Sequence, residues 1–360
     1  MRLRHLATAV AALSLPTLVL LAPPASADGG TTIASGLNNP RLLSFSPTGD
    51  LYIAEAGTGG GSEGPRIEGG EGPAYFGLTG SVTRVRNGVQ NRVLTNLPSV
   101  AAADGSNAAG PADIQVTGVK KYALSLGLGA APSERAKLPD SGQILGTLQT
   151  GKFGGVMSTF GDLAGYEQVA NPDGVVPDSN PVGITPYRGG YLVADAGGND
   201  LNAVRRHRDI STVAVFPSTM VATPDGQGMM PMQAVPTSVV IGPDNAIYVS
   251  QLTGFPFPAG GSTIWRIKDG SAPTAYATGL TNVTDLAFKG KQLYAVQIAA
   301  NGLLKGPIGS LVKVNAGSTS PTTVVGGLFA PYGVAIHHGT AYVTTCAVCA
   351  GGGTVQAFRL

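Results

Sequence analysis

The chain has 360 residues, of which 12% are charged, and a formal net charge of +2. Without Arg2 and Arg4 it carries 21 basic and 21 acidic residues, which excludes nucleic acid and acidic polymers as expected partners. With 53 glycines and 26 prolines, and apolar runs recurring throughout, it reads as strands and turns rather than disorder.

Met1 to His5 is basic, Leu6 to Leu21 is apolar, and Ala25-Ser26-Ala27 closes the segment. This pattern predicts a secretory signal peptide over 1–27, with cleavage after Ala27. The alternative is an uncleaved anchor, but Pro16 interrupts a run already shorter than the roughly 20 residues a span needs. The mature chain, 28–360, is expected to be extracellular, monomeric and without a membrane span.

From Leu51 onward a phrase recurs: a short apolar run containing Tyr that mostly ends on a polar residue. The copies are Leu51 to Glu55, Tyr122 to Leu126, Tyr191 to Asp195, Ile247 to Gln251, Leu293 to Gln297 and Ala341 to Thr345. The last three tyrosines, Tyr248, Tyr294 and Tyr342, are 46 and 48 residues apart. Strand-like repeats at roughly 40–50 residues predict a β-propeller. The expected fold is therefore all-β, a six-bladed β-propeller with four antiparallel strands per blade.

The predicted strands follow in chain order. Blade 1 takes Leu42 to Phe45, Leu51 to Ala54, Ser81 to Arg86 and Arg92 to Thr95. Blade 2 takes Asp113 to Val116, Tyr122 to Leu126 and Gln143 to Leu148, with a long insertion. Blade 3 takes Gly183 to Thr185, Tyr191 to Ala194, Ala203 to Arg206 and Thr212 to Phe216. Blade 4 takes Val235 to Ile241, Ala246 to Gln251, Ser262 to Ile267 and Pro273 to Thr278, with Asp269-Gly270 as a hairpin signal. Blade 5 takes Thr284 to Phe288, Leu293 to Ile298, Ser310 to Val314 and Thr322 to Val325. Blade 6 has only Tyr332 to Ile336, Ala341 to Thr345 and Thr354 to Arg359. Thr31 to Leu37 is expected to supply its fourth strand and close the ring.

Residues closing each second strand fall at one level: Glu55, Leu126, Asp195, Gln251, Gln297 and Thr345. Acids and amides there either cap backbone N–H groups at the channel mouth or hold a hard cation. The candidate metal ligands are Glu55, Asp113 and Asp195, with a divalent cation such as calcium, magnesium or manganese. The candidate ligand-binding residues are Glu55, Asp195, Asn199, Gln251, Phe255, Phe257 and Gln297. Phe255 and Phe257, set between prolines, form a rigid apolar knob that plugs the bowl or walls a ligand.

The glycine cluster Gly57 to Gly61 lacks the strand, Gly-Lys-Ser/Thr and helix order of a nucleotide loop. Arg205 to Asp209 reads as a solvated hairpin. The four histidines make no metal-binding spacing, and Ser125 and Ser238 lack a hydrolase triad. Cys346 and Cys349 are expected to form a disulfide, with free thiols or redox and metal roles as alternatives.

The phrases Ala54 to Gly60, Gly80 to Val85, Asn171-Pro172-Asp173-Gly174, Asp178-Ser179-Asn180-Pro181, Asp195 to Leu201, Val235 to Ser238 and Leu252 to Pro258 resemble the ScyD/ScyE family of exported propeller-like proteins. The likeness covers nearly the whole mature chain. It implies an exported propeller and carries no reaction. Family members often have Glu where this chain has Gln251 and Gln297, and Cys within Pro65 to Phe76, where it has none. NHL-repeat and gluconolactonase-type propellers are similar in architecture only.

The expected function is binding of a small molecule or extracellular protein at the loop bowl. The rival is a metal-dependent hydrolase or lactonase in which Glu55, Asp113, Asp195 and either Asn199 or Asp285 hold a cation that activates water. A lyase of aromatic metabolites is a third reading by analogy.

Overall fold

The computed structural model describes residues 29–206, 209–268 and 270–360. The signal-peptide reading therefore lies outside the described residues, as do His207, Arg208 and Asp269.

Each second strand is a continuous apolar run because both of its faces are buried, the pattern of a strand sandwiched between two layers. Such strands need partners on every side, and six four-stranded antiparallel blades arranged in a ring provide them. The inner strands are Pro40–Phe45, Pro111–Val116, Pro181–Tyr187, Pro236–Ile241, Val283–Lys289 and Val334–His337, and each contacts the next around the ring. The second strands are Leu51–Glu55, Lys121–Leu126, Gly190–Asp195, Ile247–Gln251, Gln292–Gln297 and Thr340–Thr345.

Apolar cores fill the seams between blades. Tyr52 and Ala54 of blade 1 pack with Ile114 and Leu124 of blade 2, while Ile53 turns the other way, toward Ala335 and Val355 of blade 6. The same division recurs where Val193 faces blade 2 and Leu192 and Ala194 face blade 4. Blades 4 and 5 meet through Tyr248, Ile264, Leu286 and Ala295, and blades 5 and 6 through Tyr294, Val296, Val334 and Val343.

The ring closes as the sequence predicts. Thr31–Leu37 pairs antiparallel with Gly353–Arg359, running from Thr31 opposite Ala357 to Leu37 opposite Gly353. The termini thus complete blade 6, and Cys346 and Cys349 are joined by a disulfide in its loop.

Three strand placements differ from expectation. The third strand of blade 2 is Thr147–Lys152, not Gln143 to Leu148. A 3-10 turn at Asp140–Gly142 and Gly146, at φ 73°, turn the chain first. Ser158–Asp162, inside the supposed insertion, is the outer strand of this blade, and an α-helix, Leu163–Ala170, follows. In blade 3 the third strand is Asp200–Val204, starting three residues early, because Asp200 pairs directly with Asp195 across the tight turn. The outer hairpin of blade 1, Gly72–Arg86 with Val89–Ala101, is longer than expected, and Arg66–Gly69 pairs with its end away from the turn. A further two-stranded hairpin, Thr219–Ala222 with Met229–Met232, leaves blade 3.

Candidate functional site

Each second strand ends at the same level of the ring. The next residue in blades 1 to 5 (Ala56, Gly127, Ala196, Leu252 and Ile298) donates its N–H to the carbonyl just before an inner strand: Asn39, Gly110, Asn180, Val235 and Asn282, respectively. The polar side chains at this level reinforce that crossing. Glu55 accepts the Asn38 N–H at 2.8 Å, Asp195 accepts the Asn180 N–H at 2.6 Å, and Gln297 accepts the Thr281 N–H at 2.7 Å. Gln251 instead accepts from the Trp265 indole N–H at 3.0 Å, and Thr345 bonds Thr354. Glu55, Asp195, Gln251 and Gln297 are all buried, and each braces its own blade.

The remaining contacts of Glu55 point away from the axis. Both of its oxygens meet Arg92, and Thr83 adds a third donor. Asp195 accepts the N–H groups of Gly197 and Gly198 and the Ser179 hydroxyl. Burial raises its pKa against those donors. Asn199, in the same turn, donates to Asp173 at 2.9 Å and accepts the Val235 N–H at 3.1 Å. The structure thus brings Asp195 and Asn199 together, and leaves Glu55 and Asp113 in separate blades.

Nearer the axis, Asp113 and Asp285 tie inner strands across seams. Asp113 of blade 2 accepts the Ile184 N–H of blade 3 at 2.9 Å. Asp285 of blade 5 accepts the Ser238 hydroxyl of blade 4 at 2.6 Å and the Val334 N–H of blade 6 at 2.7 Å. Burial pushes Asp113 up to about 6 and Asp285 to about 7, overcoming the hydrogen bonds that favour their charged forms. As the side chains stand, no three His, Cys, Asp or Glu among the described residues are gathered to hold a metal ion.

At the loop end, the channel is filled. Leu42, Ala112, Val182, Ile298, Tyr332 and Ala347, drawn from five blades, form one apolar cluster. Arg41 lies among them, its guanidinium 4.8 Å from the Tyr332 ring centre, donating to the carbonyls of Ala347 and Ala108. Burial lowers the Arg41 pKa. Sequence reasoning missed Arg41 and Tyr332, because neither belongs to the repeated phrase.

Around this plug, blades 4 and 5 expose large apolar side chains, two on loops and two at strand ends. Phe255 is 48% exposed, Leu304 60%, Ile308 46% and Phe329 38%. They are linked in space. Phe255 and Phe257 have ring centres 6.1 Å apart, and a Cβ on Gly302, just before the Leu303–Lys305 turn, would lie 2.7 Å from the Phe257 carbonyl oxygen. Ile308 pairs with Phe329. Asn282 fixes the aromatic loop by donating to the Leu252 carbonyl and the Thr253 hydroxyl. The Gly57 to Gly61 cluster serves packing: a Cβ on Gly59, at φ 58°, would lie 2.3 Å from the Tyr75 carbonyl oxygen. A cleft of about 530 Å³ opens on the outer flank of blades 2 and 3, lined by Gln143, Thr159, Asp162, Tyr166 and Ile210, and holds none of the predicted site residues.

No family model and no curated protein matches the sequence. Solved structures do resemble the fold. A protein of unknown function from Bacteroides thetaiotaomicron has 8% identity and a TM-score of 0.52, with 92% of this chain and 75% of that chain covered. Regucalcin from Agrobacterium tumefaciens, described as a calcium-binding protein, has 9% identity and a TM-score of 0.51, with 92% and 94% covered. Virginiamycin B lyase from Staphylococcus aureus has 12% identity and a TM-score of 0.45, with 90% and 96% covered. The likeness to the first two establishes the propeller fold and nothing about chemistry. Among the described residues, no helix is long and apolar enough to cross a membrane.

Proposed function

We propose that this chain is an exported propeller of the ScyD/ScyE type, and that its loop end docks a protein partner or ligand with an apolar face. One observation carries the reading: Phe255, Leu304, Ile308 and Phe329 stand exposed beside a channel mouth already filled by side chains. Large apolar groups gathered at one surface mark interaction sites more often than chance exposure. The channel plug favours contact across this rim over entry of a substrate along the axis. Of the residues expected to contact ligand, Phe255 is exposed and Phe257 half-buried, while Gln251 and Gln297 are buried. Export is supported by the basic, apolar and Ala-Ser-Ala succession over 1–27, and family membership by the seven shared phrases.

Chemical cross-linking in culture fluid, compared between wild type and Phe255→Ser/Leu304→Ser, tests the reading. A cross-linked species lost in the variant with unchanged folding supports it; equal cross-linking in both overturns it. The rival lactonase reading predicts hydrolysis that Glu55→Gln or Asp113→Asn abolishes, and a lactone and ester screen on the same preparations tests it.

A further inference from the structure

Three acidic phrases separated in sequence meet at the end of blade 3. Asn171 to Gly174 forms the turn after the Leu163–Ala170 helix, Asp178 to Pro181 leads into the inner strand, and Asp195 to Asp200 joins the second and third strands. Glu167 projects from the helix into the same place. The pKa of Glu167 is raised mainly by burial and then by the charges of Asp195, Asp173 and Asp178; that of Asp200 is raised by burial, Asp195 and Glu167. Among the described residues, no salt bridge involves any of these five carboxylates.

We propose that Glu167, Asp173, Asp178 and Asp200 form a binding site for a divalent cation of the calcium type, built on the turn that Asp195 organises.

Two observations beyond the clustering point to a ligand. Glu167 is 3% exposed and Asp200 is fully buried, yet Oε1 of the first and Oδ2 of the second have no hydrogen-bond partner; nor does Oδ1 of Asp178. Buried oxygens without donors are costly, and on acidic side chains they call for a positive charge. The second observation is Gly198. A Cβ there would lie 3.2 Å from Glu167 Oε2 and 3.4 Å from Asp200 Oδ1, so the two carboxylates converge over a position with no side chain.

The donor set selects the ion. All the groups are oxygens, with no His or Cys, which favours calcium or magnesium over zinc or copper. Calcium accepts 6–8 oxygens in flexible geometry, whereas magnesium demands a near-octahedral shell and keeps its water. Four carboxylates spread over two turns, one strand end and one helix suit the larger ion, which tolerates irregular geometry. Asp195 supports the site rather than facing it, since its two oxygens already accept four hydrogen bonds, three of them from backbone N–H groups. Asp173 is partly tied as well, to Asn199 and to the Val175 N–H. Like charges repel, so without an ion these side chains stand apart rather than gathered at coordination distance, and a cation would draw them together. Asp173 and Asp178 are half-buried and give the ion its way in. The partially negative C-terminal end of the helix adjoins the Asp173 turn and adds to the attraction. The site would fasten the Leu163–Ala170 helix to blade 3, and it is independent of the loop-end surface.

The test is calorimetric titration of calcium chloride into chelator-treated protein, paired with melting curves in calcium, magnesium and chelator. One saturable calcium site and a raised melting temperature are expected, with a smaller magnesium effect. Glu167→Gln and Asp200→Asn should each abolish the heat, while Asp113→Asn retains it. Because either site variant relieves repulsion, it should melt at or above wild type in chelator, which separates loss of binding from loss of fold. Absence of calcium heat in folded wild type, or binding undiminished in the Glu167→Gln/Asp200→Asn double variant, overturns the proposal. So does a cluster whose only response is to pH.

Discussion

Glu55 and Arg92 form a two-point ion pair at the blade 1 level of the ring, with Nη2 2.7 Å from Oε2 and Nε 3.1 Å from Oε1. Glu55 is fully buried, while the Arg92 side chain is 39% exposed. Removing Arg92 leaves a buried carboxylate with only Thr83 and the Asn38 N–H. Arg92→Ala is therefore expected to destabilise by roughly 2–4 kcal/mol, since loss of one partner strands the other. Arg66→Ala, which breaks the exposed pair with Glu68, should change stability by less than about 1 kcal/mol. Chemical denaturation of both variants measures the contrast, and equal effects would refute the assignment.

Asp285 sets a pH dependence. Its folded pKa is about 7, against an ordinary value of 3.8. A raised acid binds its proton more tightly in the folded state, so its stabilising contribution is complete below about pH 4 and is lost as pH rises through about 7. Wild type should lose stability across that window relative to Asp285→Asn, by on the order of 1–4 kcal/mol. Denaturant midpoints at pH 4.5 and 7.5 for both proteins give the difference. A slope unaltered in Asp285→Asn would show that another group controls it.

Much of this fold is legible in the repeated phrase, because a propeller's second strand is buried on both faces and must be apolar throughout. The offset of Tyr within the phrase carries more. Tyr52, Tyr248, Tyr294 and Tyr342 stand three residues before the end of the run, and Tyr122 and Tyr191 stand four before it. A one-residue shift flips a strand side chain to the other face. Accordingly Tyr52, Tyr248 and Tyr294 pack toward the following blade, while Tyr122 and Tyr191 pack toward the preceding one. What was not legible depends on contacts between distant segments. Glu55 reads as a free acid until Arg92 is placed beside it, and the phrases around Asp173, Asp178 and Asp195 give no sign that they meet. The hairpin at Thr219–Met232 and the true start of the third strand in blade 2 rest on turns with weak sequence signals.

Ring closure by the first strand makes the N-terminal segment essential. Leu37 is fully buried in the seam shared by blades 6 and 1, with Ala34, Leu43 and Val355. Leu37→Ala should cost about 2–5 kcal/mol, the range for a large-to-small core change. Deleting residues 29–37 should do worse, because Gly353–Arg359 then becomes an unpaired edge open to association with other chains. Light scattering on the deletion variant should show aggregates; a monomer with wild-type melting would contradict the closure argument.

Arg41 spans the plug in a way that only a forked side chain can. Its Nη1 donates to the Ala347 carbonyl at 2.5 Å and its Nη2 to the Ala108 carbonyl at 2.6 Å, joining a blade 6 loop to the loop before blade 2. Tyr332 offers its ring face to the same cation. A lysine has three N–H donors but on one nitrogen and with no planar fork, so it cannot hold both contacts at the spacing of the arginine nitrogens, and one carbonyl is left without its donor. Arg41→Lys is expected to lose about 1–3 kcal/mol, the cost of a buried acceptor left without a partner. Arg41→Met, which leaves both carbonyls without these donors, should lose more. If the two variants unfold at the same denaturant concentration, the contact that lysine keeps contributes nothing; if both also match wild type, the plug is held by its apolar packing alone.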